Sequence, residues 1–117
     1  MAMSEPNLSV FDVKQLAELC DVLSTLKDVL LAIECQPRCE TSTLGCFVED
    51  EGTRYGLLRD RVADELSSRW ASADEEDRHH ILAVRVLDDL ACGGRISDAE
   101  LMTQLVQTWG RREAVSA

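Results

Sequence analysis

The sequence predicts an all-α fold, a four-helix, bundle-like domain, and three observations carry that expectation. Leucines and other aliphatic residues repeat every three or four positions over the first third of the chain. Aromatic residues make up only 4% of the 117 residues and prolines number two, so the core is aliphatic and long helices go uninterrupted. No stretch alternates apolar and polar residues as a half-buried strand would.

The first helix is expected over about residues 9–36. Leu16, Leu19, Leu23, Leu26, Leu30 and Ile33 form an unbroken a/d seam, and Val22 and Val29 widen it to the stripe of a bundle helix. Ser9 is the expected cap, and Gln36-Pro37 the stop. "PRCETSTLGCFVEDEG" reads as a loop, with a short extended stretch at Cys46–Val48. The second helix is expected over about 50–71, on the stripe Tyr55, Leu58, Val62, Leu66 and Trp70, and forms an antiparallel hairpin with the first.

Two shorter helices should follow, over about 73–91 and 98–109. "SADE" at 72–75 and "SDAE" at 97–100 have the spacing of capping boxes, with a serine at each helix start. Gly93-Gly94 offers a left-handed stop to the third helix, and Gly110 ends the fourth. One domain over 1–117 is expected from the length, with residues 1–8 and 111–117 frayed.

The formal net charge is −10, from 22 acids and 12 bases, and the acidity belongs to the first two-thirds of the chain. Such a surface opposes contact with nucleic-acid phosphates and anionic membranes, and favours a partner protein with a basic surface. The opening "MAMSEPNLSV" has neither the basic nor the apolar part of a secretory signal, so a cytoplasmic protein is expected.

Candidate chemistry is sparse. Cys35, Cys39 and Cys46 lie close in sequence, and His79 could supply a fourth ligand if the third helix started beside them. Structural zinc normally uses two closely spaced ligand pairs, and here there is one. Free cysteine is also a common small core residue. No metal or cofactor is therefore expected, and the three cysteines read as a helix end and a loop. Adjacent His79 and His80 point about 100° apart on a helix, with His80 on the line of Val84, Leu87 and Ala91. There is no phosphate loop, no nucleophile elbow and no calcium loop.

The expected function is therefore non-enzymatic: an interaction, regulatory or adaptor protein and a homodimer. Its anchors would be Leu23, Leu26 and Leu30 in the seam, with Glu18, Asp21 and Asp28 as an acidic rim. Two alternatives stand beside this. One is an acidic nucleic-acid mimic, such as a phage-encoded, anti-CRISPR-like inhibitor of a DNA- or RNA-handling protein. The other is a metal- or thiol-based sensor using the cysteines.

Overall fold

The computed structural model describes residues 6–40 and 42–110. Its four helices are α1 (Val13–Glu34), α2 (Thr43–Ser68), α3 (Glu75–Gly93) and α4 (Ala99–Leu105), and no strand occurs among the described residues. Short 3-10 turns at Leu8–Val10, Pro37–Cys39 and Trp70–Ser72 join them, and α4 runs on into a π turn at Val106–Gly110. The all-α expectation and the α1–α2 hairpin both hold.

The helix boundaries are set by caps, and several differ from those expected. α1 starts at Asp12 rather than Ser9: the Asp12 carboxylate accepts from Gln15 N–H at 2.7 Å, and the Gln15 side chain accepts in return from Asp12 N–H. Ser9 lies in the preceding 3-10 turn, held by Asn7. Two aspartates likewise replace the serines expected to start the later helices. Asp74 accepts from Asp77 N–H at 2.8 Å, and Asp98 accepts from both Glu100 and Leu101 N–H. Carboxylates suit that place because the helix dipole adds to the hydrogen bond. α3 ends as expected, with Gly94 at φ +72°.

The largest correction concerns α2, which begins at Thr43 rather than about Asp50 and includes Cys46–Val48. Ser42 is its cap: the hydroxyl accepts from Gly45 N–H at 3.1 Å and donates to the Arg38 carbonyl at 2.9 Å. Glycine at 45 lets the new helix press against the 3-10 turn, since a Cβ there would sit 1.8 Å from the Cys39 carbonyl oxygen. The link between α1 and α2 is therefore short and tightly folded.

α1 and α2 run antiparallel. Leu30 lies against Gly52, Lys27 lies over Gly56, and Arg59 donates to Ser24 at 2.5 Å. At the far end Arg69 donates to the carbonyls of Phe11 at 2.6 Å and Leu8 at 3.0 Å, pinning the N-terminal segment to α2. We call this end the base and the Pro37 end the tip. α3 returns from the base along the hairpin, tied by Arg78 over the Trp70 ring and by an Arg59–Asp88 ion pair at 2.6 Å. α4 doubles back on α3: Arg85 binds Asp98 and buried Gln104, and Trp109 reaches His79.

The core sits at the base. Leu16, Cys20, Leu23, Val62, Leu66, Ile81 and Val84 form it, with Leu8 closing the bottom. Of the ends expected to fray, residues 1–5 and 111–117 lie outside the described residues, while Leu8 is buried under the Arg69 clamp and is not frayed. On α3 the buried residues are Ile81, Leu82 and Val84; of the expected line His80, Val84, Leu87 and Ala91, Val84 faces the core, His80 is half-buried, and Leu87 and Ala91 are exposed. The molecule is elongated, 58 × 32 × 21 Å with a radius of gyration of 17.3 Å, against about 13 Å for a compact chain of this length. The bundle-like description thus fits the base alone, and the tip is a bare two-helix hairpin.

Candidate partner-binding face

The tip follows from the mismatch in helix length. α1 and α2 hold 22 and 26 residues, while α3 holds 19 and lies beside the base. The α1 seam is buried from Val13 to Leu23 and then emerges: Leu26 is 40% exposed and Val29 52%. Helical phase groups the emerging residues. Val22, Leu26, Val29 and Ile33 share one side of α1, and Leu44, Phe47, Tyr55 and Leu58 share the same side of α2. This side faces away from α3. Together these residues form an apolar face about 16 Å long across two helices, by the rise of α1 between Val22 and Ile33.

The three leucines expected as partner anchors therefore separate. Leu23 is a core residue with 3% exposure and is unavailable to a partner. Leu26 is on the face, and Leu30 is half-buried against Gly52 of α2. The sequence reading missed Val22, Val29, Leu44 and Phe47 as members of the face, although the first two were visible as the widened stripe. Leu44 and Phe47 were hidden by reading 37–49 as a loop.

Charge borders the face unequally. Glu18, Asp21 and Asp28 are exposed on the α1 side away from α2. The outer edge of α2 carries Arg54, which binds Glu51 at 2.7 Å and lies over the Tyr55 ring. The opposite side of the tip holds a groove of about 370 Å³ lined by Lys27, Leu31, Glu34, Glu49, Leu57 and Asp60, with Gly52 and Gly56 in its floor. Three carboxylates there make it much more polar than the apolar face.

The cysteine cluster lines an open cup of about 780 Å³ at the tip, with Glu34, Glu40 and Glu49 around it. Cys35 and Cys46 are exposed and Cys39 is buried; all three are free thiols. No group of three or more potential ligands there or elsewhere among the described residues could hold a metal ion. His79 is excluded as a fourth ligand by position, since it lies in the first turns of α3 at the base. There its Nδ1 accepts from Trp109 Nε1 at 2.6 Å, which places the proton on a buried Nε2 without a partner. Cys20 is inert by burial, which pushes its thiol from the ordinary 9.0 up to about 11.

No described helix is long and apolar enough to cross a membrane. No family model, no curated protein and no solved structure matches the chain.

Proposed function

We propose that the chain is a non-enzymatic interaction protein, of regulatory or adaptor type, that engages another protein through the apolar face of the tip. The observation that carries this reading is the group Val22, Leu26, Val29, Leu44 and Phe47, each 40–62% exposed and placed by helical phase on one side of two helices, with Glu51 between Phe47 and Tyr55. Exposed apolar residues scattered singly are ordinary, whereas a contiguous patch marks an interaction site. The base supplies rigidity: Arg69, Arg59 and Arg85 fix the helices, and the tip projects from them.

The test is capture with a tagged full-length chain, washed in low and then high salt, beside the variants Val29→Glu and Leu26→Glu. The expected result is a bound protein that survives high salt on the parent and is absent from both variants, with helicity unchanged. Equal retention by parent and variants would overturn the reading. A second reading rests on Glu18, Asp21 and Asp28, all exposed on α1: the acids could occupy a nucleic-acid site on a basic protein. That partner would leave in high salt and be insensitive to Val29→Glu.

A further inference from the structure

We infer that the occupant of the apolar face is a second copy of this chain, docked about a two-fold axis parallel to the hairpin so that α1 of each copy lies over α2 of the other. This rests on the interaction reading above and names its partner. Stacking two hairpins face to face completes at the tip the four-helix arrangement that α3 and α4 supply at the base. Aliphatic side chains at a/d and flanking positions on both helices are what such packing uses.

The charges at the edges select the second copy and its orientation. Because Leu30 sits at the level of Gly52 and Ser24 at that of Arg59, Asp28 lies at the level of Arg54. Asp21 falls one heptad back on α1, at the level of Arg61 one heptad on in α2. With the axis along the hairpin, α1 of the partner copy passes over α2 at matching height. Asp28 and Asp21 of one copy then meet Arg54 and Arg61 of the other at matching height, twice by symmetry, on an edge where Asp50 and Asp64 also lie. Arg54 keeps Glu51 and gains a second carboxylate, which the guanidinium fork can serve. The other two-fold axis, across the helices, would lay α1 on α1 and set acid against acid.

The opposite groove does not compete, since Glu34, Glu49 and Asp60 would have to be desolvated there. With five exposed apolar residues as its centre, the dimer should be concentration-dependent, with a Kd in the micromolar range, on the order of 10 µM.

The test is sedimentation equilibrium of the full chain from about 1 to 200 µM, two decades around that value. The parent mass should rise from 13.0 kDa toward twice that. Val29→Glu should stay monomeric, with helicity and melting temperature kept. Asp28→Arg and Arg54→Glu should each weaken association about three- to tenfold, and the double variant should recover most of the loss. Tighter association of Asp28→Arg would overturn the orientation, because only acid-on-acid stacking gains from it. A parent that stays at 13.0 kDa throughout overturns the second copy. In that case, loss of a captured heterologous protein by Val29→Glu would keep the interaction reading, and unchanged capture would end both.

Discussion

The base and the tip are built from the same two helices with the same heptad pattern, yet they differ in what the pattern buries. At the base, Leu16, Val62 and Leu66 are fully excluded from water because α3 lies across the hairpin and Leu8 plugs its end. At the tip, Leu26 continues the α1 seam and Val29 flanks it, and both remain about half in water. A heptad seam specifies an apolar surface, and the number of elements available to cover it decides whether that surface is core or interface. The difference separates a buried core from an exposed apolar face along a single pair of helices.

Substitutions can break that comparison, and the largest effect is expected in the core. Leu16→Ala or Leu66→Ala should cost about 2–5 kcal/mol, while Leu26→Ala at low protein concentration should cost under about 1 kcal/mol. Denaturant titration of each variant measures the contrast, and equal costs would mean that the tip is as well covered as the base. Gly45→Ala should be next, losing about 1–3 kcal/mol because the methyl group meets the Cys39 carbonyl. Its damage should be confined to the tip, with faster amide exchange in residues 35–50 and unchanged exchange in α3.

A pH series sharpens the comparison through the thiols. Folded Cys20 ionises near 11 rather than at the ordinary 9.0, so the folded state holds that proton more tightly than the unfolded chain. The contribution is fully present below pH 9 and is lost as pH rises from 9 through 11. Melting temperature should fall across that window, less so in Cys20→Ala measured against its own value at neutral pH. At pH 8 an alkylating reagent should modify exposed Cys35, Cys46 and Cys92 well before Cys20. A small effect is also expected from Trp109→Phe, which removes the hydrogen bond to His79 and keeps an aromatic ring. About 0.5–1.5 kcal/mol is expected, read by denaturant titration.

The fold class and the hairpin were legible because leucine spacing on α1 is regular and calls for a second helix alongside it. The start of α2 was not. Thr, Ser and Gly in "TSTLGC" read as loop by propensity, and only the contact of Gly45 with the Cys39 carbonyl shows why helix forms there. The caps were mistaken for a related reason. Serine and aspartate are both good N-caps, and "SADE" and "SDAE" each contain both, so spacing alone left the choice open. On the apolar face, Leu26 was legible as a seam residue. Leu23 was misassigned because burial depends on where α3 ends, and one-dimensional periodicity carries no such limit.

The Arg69 clamp on the carbonyls of Leu8 and Phe11 bears on the order in which the chain assembles. It joins residues 61 and 58 positions apart, whereas Arg59 and Ser24, nearer the tip, are 35 apart. Loop-closure entropy rises only with the logarithm of length, so the longer closure costs less than about 0.6 kcal/mol extra. One buried leucine at the base outweighs that, at about 1.5–3 kcal/mol. Assembly should therefore begin at the end farthest from the turn, with the tip zipping last on the way in and opening first on the way out.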